Sequence, residues 1–180
     1  MNSKISSMKT PILFLLLTIY LFISTSQAAQ DDSFAIYLIR HAEKNTLPPA
    51  DLTSCGLQRS KDLIKVFQNI DFDVIYSTDV LRSISTAQPI AEQRNLPIEL
   101  YDRPKLTDFA KKLLQQKKNA LVVGHLNTTP MLAGFLSDNS YDMIKGPDYS
   151  RIYQVVVIAG QPHVSILHQS FKCSETEASP

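Results

Sequence analysis

The amino-acid sequence predicts an α/β domain: a mostly parallel sheet with helices on both faces and an antiparallel hairpin at the C-terminal edge. Three observations carry this. Short, nearly continuous apolar runs, Phe34 to Ile39 and Ala120 to Val123, read as strands buried on both faces. Segments of helical period alternate with them, which is the pattern of a sheet covered by crossover helices. The chain then closes on two strand-like runs, Arg151 to Ile158 and His163 to Leu167, with Gly160 in the turn between them.

The elements follow in order. After the first strand, Thr53 or Ser54 is placed to cap a helix over roughly Gly56 to Gln68, with Leu63, Ile64 and Phe67 on one side. Asp73 to Tyr76 reads as a second strand. A helix starting near Asp79 meets Pro89, which is expected to kink or restart it. Pro97 to Leu100 is a third strand. Leu106, Phe109, Ala110, Leu113 and Leu114 then fall on one helical stripe. Ala120 to Val123 is the fourth strand, and Pro130 suits the first turn of a helix capped by Thr128 or Thr129.

Composition bounds the possibilities. The chain has 180 residues, 44% hydrophobic and 19% charged, with 18 basic and 17 acidic residues and a net charge of +1. Such a balance is that of a globular domain and gives no electrostatic reason to bind nucleic acid. Residues 1–28 differ from the rest: Lys4 and Lys9 precede an apolar run from Pro11 to Ile23, and Ser26-Gln27-Ala28 follows. This reads as a cleaved secretory signal peptide, too short for a span that needs about 20 apolar residues. No stable membrane insertion is expected after cleavage, and the protein is expected in a periplasm or secreted. The domain is read as residues 32–171, with 172–180 as a polar tail. In an oxidising compartment Cys55 and Cys173 become candidates for a disulfide, with two separate thiols as the alternative.

Ligands of such sheets bind beyond the carboxyl ends of the parallel strands. There the first strand runs into Arg40-His41-Ala42-Glu43-Lys44. The second ends in Ser77-Thr78-Asp79 with Arg82 one turn on, and the fourth in Gly124-His125 before Asn127-Thr128-Thr129. Two arginines and two histidines converge on one rim. Guanidinium forks bind phosphate oxygens, and imidazole is the nucleophile or acid/base of neutral pH. The rim therefore suits phosphoryl chemistry, with the helix N-termini after Ser77 and Thr129 adding N–H donors.

These segments resemble the histidine phosphatase superfamily, branch 1, which includes phosphoglycerate mutase. Arg40-His41-Ala42 stands where that family has Arg-His-Gly. Leu52-Thr53 with Gly56, Tyr76-Ser77-Thr78 with Arg82 and Thr86-Ala87, and Val123-Gly124-His125 with Asn127 follow in the family's order. The resemblance implies the phosphoglycerate mutase-like fold and a phosphohistidine intermediate on His41. It implies phosphoryl binding by Arg40, Arg82 and His125, and a secondary contact by Asn127. No metal or cofactor is expected to be required, since two arginines and His125 supply the positive charge, and the expected substrate is a phosphorylated small molecule, glycolipid or protein. Only 42 residues separate Arg82 from His125, too few for a large lid, which favours hydrolysis over phosphoryl transfer. The alternatives are a phosphate-ester-binding module without turnover and, less so, a phosphomutase. The general acid is expected in this interval. Asp102 after the third strand is the candidate, with Asp108 and Glu99 as alternatives. Glu43 and Lys44 read as loop charges or site residues, and His163 and His168 as surface or edge residues.

Overall fold

The computed structural model describes residues 33–173; the proposed signal segment and most of the polar tail lie outside them. Six strands form one sheet in the order β3-β2-β4-β1-β5-β6. The strands are β1 (Phe34–Arg40), β2 (Val74–Thr78), β3 (Ile98–Tyr101), β4 (Ala120–Gly124), β5 (Arg151–Ile158) and β6 (Gln161–His168). The helices are α1 (Ser54–Val66), α2 (Leu81–Arg94), α3 (Leu106–Gln116) and α4 (Thr128–Ser137). β1 to β4 run parallel, whereas β5 pairs antiparallel with β1, and β6 antiparallel with β5 at the edge. The hairpin turns at Ala159-Gly160, both at positive φ, the backbone a two-residue turn of this hand requires.

Alternation along the strands builds two cores. Ile36, Leu38, Tyr76, Val122 and Tyr153 pack with Phe109, Leu113, Leu132 and Leu136 under α3 and α4. Tyr37, Ile39, Ile75, Leu121 and Val123 face the other way, against Leu63, Phe67, Ala87 and Ile90 of α1 and α2. Successive strand residues point to opposite faces, so a strand apolar at every position can feed both layers.

Several local expectations are corrected. α2 is one continuous helix through Pro89. The missing N–H leaves one gap in its ladder, while buried Ala87, Ile90 and Ala91 on either side hold the two halves to the sheet. α4 is capped by neither threonine: Asn127 is its N-cap, without a side-chain bond. The Thr128 hydroxyl instead accepts from the His125 amide at 2.9 Å, and that of Thr129 donates to the Ile39 carbonyl at 3.3 Å. Both threonines thus brace the rim. Thr53 does cap α1, accepting from the Gly56 amide.

Among the described residues no helix is long and apolar enough to cross a membrane. Cys55 and Cys173 are joined in a disulfide, their Cα atoms 5.7 Å apart. The bridge pins the residues after β6 to the start of α1.

Candidate active site

The register of the parallel strands places the site. Arg40 pairs with Gly124 across β1 and β4, so the next residue on each strand, His41 and His125, emerges side by side. Their ring centroids lie 5.4 Å apart. Gly124 is needed at this junction: a Cβ there would meet the hydroxyls of Thr128 and Tyr101, each at 2.9 Å, and of Thr129 at 3.0 Å. The His41 amide donates to the Gly124 carbonyl at 2.9 Å, tying the two strand ends together.

His41 is 3% exposed, and its Nδ1 lies 2.8 Å from the Ala42 carbonyl oxygen. A carbonyl can only accept, so Nδ1 carries the proton, and Nε2 keeps its lone pair. Ala42 is held in turn, its amide donating to Thr86 Oγ1 at 2.9 Å while that hydroxyl donates to the Arg82 carbonyl. Thr86 thereby links the His41–Ala42 segment to the helix that carries Arg82. Nε2 of His125 lies 3.1 Å from Thr78 Oγ1 at the end of β2.

Arg40 is buried and its guanidinium stacks 4.1 Å over the Tyr149 ring. Its Nη1 donates to the carbonyls of Gly146 and Asp148 at 2.9 and 3.2 Å. Those contacts fix one edge of the fork, and Nε is left buried without a partner, as is Nε of Arg82. Two guanidinium groups with spare donors beside two imidazoles make a site for an anion with several oxygens.

Burial pushes both imidazoles down, to about 4 for His41 and about 3 for His125. Arg82 and Arg40 depress His41 further, although the Ala42 carbonyl opposes them. His125 feels His41, Arg82, Arg103 and Arg40. The direction is the one expected from the arginines alone, but desolvation is the larger cause. Both rings are therefore neutral at pH 7.

This has a consequence for stability. An imidazole kept neutral in the fold binds fewer protons than the unfolded chain does. Its contribution is complete above the unfolded value near 6.5 and is lost as pH falls toward about 4 for His41 and about 3 for His125. For His41 the total is on the order of 3 kcal/mol. Urea unfolding at pH 7, 5.5 and 4.5 should show stability falling with pH, and less steeply in His41→Ala. Parallel pH slopes for the two proteins would refute the assignment.

The remaining candidates separate. Asn127 is exposed and lines a cleft of about 390 Å³ together with Arg103, Leu106, Thr128, Met131 and Phe135. Asp102 is exposed, 3.7 Å from Lys105, on a second cleft of about 540 Å³ shared with Asp79 and Arg103. Neither histidine makes a hydrogen bond to a carboxylate among the described residues. Glu99 pairs with Lys112 at 3.5 Å, and Asp108 is exposed on α3. Glu43 is not a loop charge: Arg59 grips it through Nε and Nη2, at 2.9 and 2.7 Å. His163 lies on the edge strand β6, and His168 lies 3.0 Å from Ser150.

Three residues escaped the sequence reading. Tyr149 and Asp148 sit in a loop without periodicity, so nothing local marks them. Arg103 does carry a signal, since the end of β3 holds Asp102-Arg103 and the arginine lies one residue beyond the carboxylate.

Residues 36–110, which include Arg40, His41, Arg82 and Arg103, match the profile of the histidine phosphatase superfamily (branch 1). No curated protein matches the chain. Among solved structures, the protein histidine phosphatase SixA complexed with tungstate is similar with a TM-score of 0.61 at 18% identity, over 75% of this chain and 97% of that one. The α-ribazole phosphatase from Shigella flexneri is similar at 0.64 and 14%, over 76% and 96%. A mycobacterial glucosyl-3-phosphoglycerate phosphatase is similar at 0.61 and 11%, over 77% and 100%. At these identities the likeness is one of fold, and that fold is the phosphoglycerate mutase-like α/β sandwich. The profile match spans the first two strand ends of the rim, so over residues 36–110 the chain is similar to the histidine phosphatase superfamily, branch 1.

Proposed function

We propose that the protein is an extracytoplasmic phosphomonoester hydrolase that works through a phosphohistidine on His41. The observation that carries this reading is the His41 ring, held by the Ala42 carbonyl with Nε2 free, beside Arg40, Arg82 and His125. Nε2 attacks phosphorus in line, the N–P bond forms as the ester P–O bond breaks, and the alcohol oxygen takes up a proton. Water then attacks the phosphohistidine, returning His41 and releasing phosphate. The two guanidinium groups and His125 stabilise the charge on the transferring oxygens. The intervening residues between Arg82 and His125 form β3, the turn at Arg103–Lys105, α3 and short connections. None of these is an inserted lid, which supports hydrolysis over transfer. The family's solved phosphatases, SixA among them, support a phosphorylated substrate. Export is supported by residues 1–28 and by the Cys55–Cys173 bridge.

Phosphate release from a panel of phosphomonoesters by protein lacking residues 1–28 tests the activity. A protein that binds these esters without releasing phosphate would instead be a binding module, a reading favoured by the lack of a carboxylate on either histidine. We assign the leaving-group proton to Asp102. Asp102→Asn should then cost about 10²–10⁴-fold in kcat with an alkyl phosphate and far less with a nitrophenyl phosphate, whose phenolate leaves unaided. The same pattern in Asp79→Asn, with Asp102→Asn unaffected, would move the role across the cleft.

A further inference from the structure

Arg103 is the charged group of the rim for which neither the phosphoryl site nor the fold has a use. It is exposed on the turn Arg103–Lys105, where Pro104 stiffens the backbone and buried Leu106 anchors the next residue. It makes no hydrogen bond or ion pair with any described residue, because its neighbour Asp102 turns to Lys105 instead. Yet it stands close to the site. Its charge acts on Arg82 more strongly than that of Arg40 does, and it also reaches His125. A guanidinium whose charge reaches that of Arg82 raises the local repulsion, a cost that an anion would relieve.

The two clefts that Arg103 borders differ in sign. The one at the end of β2 carries Asp79 and Asp102 and disfavours an anion. The other, about 390 Å³, runs from Arg103 past Asn127 and Thr128 to the half-exposed side chains of Met131 and Phe135. It holds no carboxylate, and its wall includes Thr128, whose hydroxyl accepts from the His125 amide at 2.9 Å. Its lining of one guanidinium, one amide and several apolar surfaces suits an apolar body that ends in an anionic group.

We propose that Arg103 and this cleft form a leaving-group subsite, which selects phosphomonoesters whose alcohol portion is an apolar body bearing a second anion. The proposal rests on the phosphatase reading for its catalytic role, and it concerns specificity: the phosphoryl group is held by Arg40, Arg82 and His125, and the far anion by Arg103. Arginine suits this task because its fork can take both oxygens of a carboxylate.

The test compares 4-carboxyphenyl phosphate with the neutral 4-carbamoylphenyl phosphate, which has nearly the same shape. The wild type should prefer the carboxylate at least about tenfold in kcat/KM, mostly through KM, as expected for a charge-assisted pair. Arg103→Ala should bring that ratio close to one, and Arg103→Lys should keep part of it. The corresponding benzylphosphonates, measured by calorimetry, should give the same ratios as affinities without turnover. An inactive wild type would sink the phosphatase reading, while the phosphonate ratios would still decide for or against the subsite. A wild-type ratio near one would overturn the proposal, as would a preference that survives in Arg103→Ala.

Discussion

His41→Ala is expected to abolish both turnover and the covalent intermediate. Wild-type protein mixed with phosphorus-labelled substrate and quenched in alkali should carry label, since a phosphoramidate survives base and is lost in acid. No other described imidazole can replace His41. His125 lies beside it, but its Nε2 is engaged at Thr78 and its lower pKa makes it the weaker base. His125→Ala should therefore slow formation of the labelled species rather than prevent labelling. Removing a nucleophile in a two-step mechanism leaves only the binding contribution of the arginines, so the loss should reach at least about 10³-fold. Hydrolysis by His41→Ala at a near wild-type rate would overturn the mechanism.

The second large effect is on stability. Replacing both Cys55 and Cys173 by alanine should destabilise the protein by up to about 4–5 kcal/mol, because the bridge closes a loop between residues 118 positions apart. The bridge also supports the site from behind. Gln169 and Phe171, just before Cys173, bond to Arg59 through Oε1 of the one and the carbonyl of the other, at 3.3 and 3.5 Å. Arg59 stacks on the Phe171 ring and grips Glu43, two residues beyond His41. Loosening the C-terminal segment should thus lower kcat as well as the urea midpoint. Two reactive thiols in the denatured, unreduced wild type would refute the bridge. An alanine pair as stable as the wild type would show that it stabilises nothing.

Much of this protein was legible in its residues. Arg40-His41 and Gly124-His125 each follow an unbroken apolar strand, and polar residues in that position have no packing role, so the rim could be read from order alone. Binary pattern also determined the two-layer core, since runs such as Phe34 to Ile39 must be covered on both faces. Gly56 belongs to the same class, although its reason does not: a Cβ there would run into the Glu43 carbonyl oxygen, a contact between segments far apart in space until the chain folds.

Tertiary structure alone decided the rest. The helix caps went differently because Thr128 and Thr129 found better partners in the His125 amide and the Ile39 carbonyl than in the end of α4. The tautomer of His41 depends on one carbonyl 2.8 Å away, and the depth of its burial on the layers packed around it. Glu43, which reads equally as a loop charge or a site residue, became one half of a partly buried ion pair once α1 brought Arg59 against it. The strand order sets β3 at the edge beside β2, and from its end the Arg103 charge reaches Arg82. Residue type and periodicity report what a side chain can do and which face it occupies. Pairwise distance between remote segments determines which of those capacities is used, and no local pattern encodes that distance.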